Sequence, residues 1–86
     1  MSVEKHDLLH ELPQHKESIR FLKMNDNRFC KLFDEYHDAD HEVHRIEQGV
    51  ETPSDQYTEQ RKKIRLSLKD QLYQIIQQYE QQAELA

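Results

Sequence analysis

Between Phe29 and Val50 the apolar residues Phe29, Leu32, Tyr36, Ala39, Val43, Ile46 and Val50 recur at alternating steps of three and four. Such spacing lays them along one stripe of a helix, as in a heptad seam. Asp26 stands where a short carboxylate can accept the unpaired amide hydrogens of a first turn, and Gly49 stands where a chain leaves a helix in the left-handed conformation. The pattern predicts a helix over about residues 27–48. A second start signal follows, with Thr52 as cap, Pro53 at the first helical position and Asp55 at the third. From there Tyr57, Ile64, Leu68, Leu72, Ile75 and Tyr79 share a face, with Arg61 filling one slot, and a helix over about 53–82 is expected. A shorter helix is expected over about 13–24, from Pro13 to the turn-forming Asn25, Asp26 and Asn27, while residues 1–12 are expected to be frayed or loosely helical.

The short connection between the two long helices favours an antiparallel pair. In such a pair the numbers of facing residues share a constant sum, and Phe29 with Ile75, Leu32 with Leu72, Tyr36 with Leu68, Val43 with Arg61 and Ile46 with Tyr57 all fall near 104. The expected fold is therefore all-α: one domain, 1–86, an antiparallel two-helix hairpin of coiled-coil type preceded by a short N-terminal helix. Its core is read as Phe29, Leu32, Tyr36, Val43, Ile46, Ile64, Leu68, Leu72 and Ile75. Charge favours the same register. Asp34, Glu35, Asp38, Asp40, Glu42, Glu47 and Glu51 lie on one helix, and Arg61, Lys62, Lys63, Arg65 and Lys69 on the other. Exposed pairs of this kind add little stability, but a slipped register would set like charges together.

Composition narrows the function classes. With 34% charged residues, 35% hydrophobic residues and a single glycine in 86 positions, the chain has no means of building a glycine-rich phosphate loop or a tightly turned sheet. No run approaches the roughly 20 apolar residues of a membrane span, and the N-terminus lacks the pattern of a signal peptide, so a cytoplasmic protein without membrane insertion is expected. The lone Cys30 suits a reducing compartment. A net charge of −5 disfavours polyanionic partners, nucleic acid included.

Few residues suggest chemistry. His37, His41 and His44 lie on one helical stripe at steps of four and three, the spacing at which helices present metal ligands, although ordinary surface histidines are the simpler account. The basic run from Arg61 to Lys69 could face phosphates, but the acidic helix opposite explains it without them, and no aromatic residues interleave to stack bases. Asp40 falls within the apolar seam and its register neighbour is Arg65, so an ion pair between them is expected. A hairpin offers no cleft to exclude water; neither a catalytic residue nor a cofactor is read from the sequence, and an enzyme is not expected. Leu66 and Tyr73, seven apart and roughly 150° from Leu68, cannot join the hairpin core and mark a second interface, toward another copy or a protein partner.

The stretches His6-Asp7-Leu8, Leu12-Pro13, Phe29, Leu32-Phe33-Asp34-Glu35-Tyr36-His37, Glu42-Val43, Arg45-Ile46-Glu47, Arg65-Leu66 and Leu68-Lys69-Asp70 together resemble the YdcH-like family of small bacterial proteins of unknown function. The resemblance covers nearly the whole chain. One departure is Asn27, where relatives often carry proline at the first helical position. The resemblance implies a helical hairpin in a bacterial cytoplasm and no activity, substrate or cofactor. The sequence thus points to a non-enzymatic protein–protein interaction module, self-associating or docking on a partner helix. A metal- or pH-responsive protein built on the histidine stripe and a nucleic-acid accessory protein are the alternatives.

Overall fold

The computed structural model describes residues 7–85, with side chains to residue 84. Four α-helices follow one another: α1 (Leu8–Glu11), α2 (Lys16–Asn25), α3 (Asn27–Glu47) and α4 (Asp55–Leu85), with a 3-10 turn at Pro13–His15 between the first two. No strand occurs among the described residues. The 31 residues of α4, at about 1.5 Å each, set the long axis of a molecule measuring 49 × 25 × 17 Å.

Local chemistry fixes most boundaries. The Asp26 carboxylate accepts from the Phe29 amide at 2.9 Å and starts α3. At the other end the Gly49 amide donates to the Ile46 carbonyl and the Val50 amide to the Arg45 carbonyl, each at 3.0 Å. This is the paired bonding of a Schellman ending, and it requires the left-handed residue that Gly49 supplies at φ +80°. A Cβ at Gly49 would meet no neighbouring atom, so conformation and not space selects glycine there. The start of α4 lies later than expected. Its cap is Ser54, whose Oγ accepts from the Tyr57 amide at 3.2 Å, and Pro53 precedes the cap instead of opening the helix after Thr52.

The α3–α4 pair runs antiparallel, with Asp40 on Arg65 and Glu42 on Arg61. Its apolar half holds Phe29, Tyr36 and Ala39 against Leu68, Leu72 and Ile76, and α1 and α2 add Leu8, Leu12, Ile19 and Leu22 to the same cluster. Val43 is buried as well. Leu32 and Ile75 sit half-buried at the edge of the cluster, and Ile46 is half-buried farther along α3.

Two expectations need correction. Ile64 is not in the core: it is 41% exposed, and Ile76 is fully buried instead. The positions of α4 that meet α3 are Arg61, Arg65, Leu68, Leu72 and Ile76, because the two arginines face Glu42 and Asp40 and so turn Ile64 to the flank. Near the far end α2 packs against both long helices, with Phe21 stacked on Tyr79. The second correction concerns the segment expected to be frayed or loosely helical, whose described part is packed. Residues 1–6 lie outside the described residues, but from Asp7 onward the chain forms α1 and buries Leu8 and Leu12. The Asp7 carboxylate caps this turn at 2.7 Å from the His10 amide. The N-terminal region is therefore a third layer over the hairpin.

Candidate functional site

Three surfaces bear the residues singled out by sequence: the histidine stripe of α3, the basic run of α4, and the outer face of α4 around Leu66 and Tyr73.

The histidine stripe divides into separate environments. The His37 ring is engaged at both nitrogens, with the Leu8 amide donating to Nε2 at 3.2 Å and Nδ1 lying 2.8 Å from the Phe33 carbonyl. His41 is exposed, and His44 is half-buried with Nδ1 lacking a hydrogen-bond partner. Among the described residues no three His, Cys, Asp or Glu side chains converge to hold a metal ion. Spacing along one helix is insufficient because a fourfold site needs ligands from a second element, and His37 already uses its nitrogens to fasten α1.

The basic run is largely neutralised within the fold. Arg61 lies on the Glu42 carboxylate, Arg65 donates to Asp40 at 3.0 Å, Lys69 is 3.6 Å from Glu11, and Lys62 is 3.9 Å from Glu59. Tyr57 also donates its hydroxyl to Glu42. That bond, with Arg61 beside it, holds the Glu42 carboxyl below its usual range, and the same bond pushes the Tyr57 hydroxyl up against the opposing pull of Arg61. In the seam, burial pushes the Tyr36 hydroxyl upward, and the charges of Asp40 and Glu11 push it further. These groups fasten helices together; the grooves beside them, along Ile64 and Leu68 and along Phe21 and Tyr79, are shallow and open to solvent. Cys30 is half-buried and free.

The outer face of α4 behaves differently. Leu66 is 57% exposed and Tyr73 37% exposed, even though α1 and α2 have packed alongside. The Tyr73 ring packs edge-on against the His15 ring, with centroids 5.7 Å apart. His15 is held in turn by Glu80 at 2.8 Å, and Ser18 donates to the same carboxylate at 2.6 Å. These two bonds, Ser18 first, hold the Glu80 carboxyl below its usual range. Sequence reasoning gave His15 no role and missed Glu80 as an anchor, since the two are far apart in the chain and no periodicity links them.

A model of the family described as "Protein of unknown function (DUF465)" matches residues 29–76. The chain belongs to the DUF465 family. The matched stretch opens at Phe29 and closes at Ile76, two fully buried residues at the open end of the hairpin, so the DUF465 match coincides with the α3–α4 pair and its connection. "Uncharacterized protein YdcH" of Escherichia coli (strain K12) is 35% identical over 66 residues, covering 77% of this chain and 89% of that protein. The protein of the same description from Shigella flexneri matches to the same extent. No solved structure matches the chain. Among the described residues of this DUF465 chain, no helix is long and apolar enough to cross a membrane.

Proposed function

We propose that the protein is a non-enzymatic interaction module whose working surface is the outer face of α4, and that the surface meets a second copy of itself. The observation that carries this reading is the exposure of Leu66 and Tyr73 on a helix whose opposite face is fully packed. Apolar residues seven apart on a polar helix face form a small patch of the kind that partners cover.

The face is self-complementary. When two copies of α4 cross antiparallel about a two-fold axis between residues 69 and 70, Leu66 opposes the partner's Tyr73 and Lys69 opposes the partner's Asp70, since both pairs of numbers sum to 139. An isologous contact repeats each pair twice, giving two apolar contacts flanking two opposite-charge pairs. Lys69 is already near Glu11, and its flexible ammonium can bridge two carboxylates. The patch is small, so the association is weak and concentration-dependent. Sedimentation velocity across a concentration series tests it: wild type shifts toward dimer, and a Leu66→Asp, Tyr73→Asp double variant stays monomeric with unchanged helicity. A wild type that is monomeric throughout overturns the reading.

A further inference from the structure

We infer that His37 is an acid-releasable clasp that holds α1 on the hairpin through a neutral imidazole. The two bonds of its ring admit one protonation state. Nε2 accepts the Leu8 amide hydrogen at 3.2 Å, so it carries a lone pair; Nδ1 lies 2.8 Å from the Phe33 carbonyl, an acceptor, so it carries the proton. A ring protonated at both nitrogens would set an N–H against the Leu8 N–H, two donors facing each other, and the bond would be lost.

The bond joins residues 29 apart in the chain, and it satisfies an amide at the first turn of a helix too short to stand alone. Leu8, whose amide makes the bond, is fully buried in the core cluster. The ring is also fixed by its neighbours. It packs against Phe33 at 4.2 Å between centroids and edge-on against Tyr36 at 5.2 Å.

Charged groups lie on each of the elements near it. Asp7 and Glu11 of α1 both act on the adjacent Tyr36, and Asp7 is engaged with the His10 amide. Lys23 of α2 lies over the Phe33 ring at 4.3 Å, and Lys69 of α4 faces Glu11. On α3 itself Asp40 is paired with Arg65, and His41, one turn on, is exposed. Imidazole is the side chain that changes charge between about pH 5 and 8.

A second histidine has a partner of the opposite kind. His15 faces the Glu80 carboxylate, a partner that a charged imidazole keeps and strengthens. Mild acid therefore loosens α1 by the worth of that one hydrogen bond while the start of α2 stays anchored, so the turn carrying Leu8 and Leu12 opens more often without loss of the hairpin. The device depends on α1 and α3, and it stands whether or not α4 meets a second copy.

Two measurements on the full chain test the clasp. Nitrogen-15 NMR of the imidazoles should find His37 protonated at Nδ1 and bare at Nε2 near neutral pH; the reverse tautomer overturns the proposal. Amide exchange, expressed as protection relative to the unfolded chain, should show Leu8 losing about tenfold protection between about pH 7.5 and 5.5, the scale of one lost hydrogen bond, while Phe29 and Leu72 are unchanged. His37→Gln keeps an acceptor near the Nε2 position without a titrating group, so protection of Leu8 in that variant should be flat with pH. Loss of protection in both wild type and variant, or in neither, contradicts the clasp.

Discussion

The Asp40 carboxylate, 1% exposed, accepts a hydrogen bond from the Arg65 guanidinium across the α3–α4 seam at 3.0 Å, while its second oxygen, Oδ2, is buried without a donor. A buried charge with one partner depends heavily on that partner. Arg65→Ala should therefore cost about 3 kcal/mol in urea unfolding, because it leaves an uncompensated carboxylate in the seam. Replacing Asp40 by valine and Arg65 by leucine should recover most of the loss, since apolar groups near the original volumes need no desolvation. A double variant no more stable than the single one would show that the pair contributes more than mutual neutralisation.

The revised register of α4 separates two isoleucines that sequence spacing treats alike. Ile76→Ala should cost about 3 kcal/mol, as for other fully buried large-to-small changes. Ile64→Ala should fall within about 0.5 kcal/mol, as for surface sites. Equal losses would restore the register that places Ile64 in the core.

Glu80 gives an acid limb to stability. Its carboxyl is held below the ordinary value of 4.5 by Ser18 and His15 in the folded chain. A depressed carboxyl contributes stability that is present above its unfolded value and is lost as pH falls through its folded value. Ser18→Ala should therefore move the acid unfolding midpoint to higher pH, read by circular dichroism, and Glu80→Gln should remove this part of the pH dependence. An unchanged midpoint in both variants would mean that the anchor contributes nothing to folding.

Much of the hairpin was legible because it is written in local chemistry. The Asp26 cap, the left-handed Gly49 and the Asp40–Arg65 pair follow from residue type and register alone, and each is present. The choice between Ile75 and Ile76 was not, because both lie within reach of the seam on a helical wheel, and only tertiary packing buries Ile76 fully and leaves Ile75 at the edge of the cluster. The His37–Leu8 contact was hidden for a different reason. A single turn such as α1 has no periodicity to read, although Asp7 as a cap and Pro13 beyond it were the available signals. The basic run was correctly balanced against acidic residues, but Glu11, the partner of Lys69, lies in a segment expected to be frayed or loosely helical.

The proposed pairing of two α4 faces also makes an electrostatic prediction. Asp70→Lys sets the new lysine against Lys69 of the partner subunit twice in one interface, and should weaken self-association markedly at low salt and less at high salt. Because Asp70 is exposed, the change should leave thermal unfolding of the monomer nearly unaltered. Unchanged association would remove the Lys69–Asp70 pairing.

Cross-linking across the two-fold axis tests the central claim most directly. In a Cys30→Ser background, Leu66→Cys and Tyr73→Cys chains are mixed in equal amounts and treated with a short bifunctional maleimide. Antiparallel α4 contact predicts that the mixed 66–73 product dominates, with little product from either chain alone, because identical positions lie about 10 Å apart along the helix axis. No cross-linked product at any concentration, or equal yields from mixed and single chains, would contradict the account.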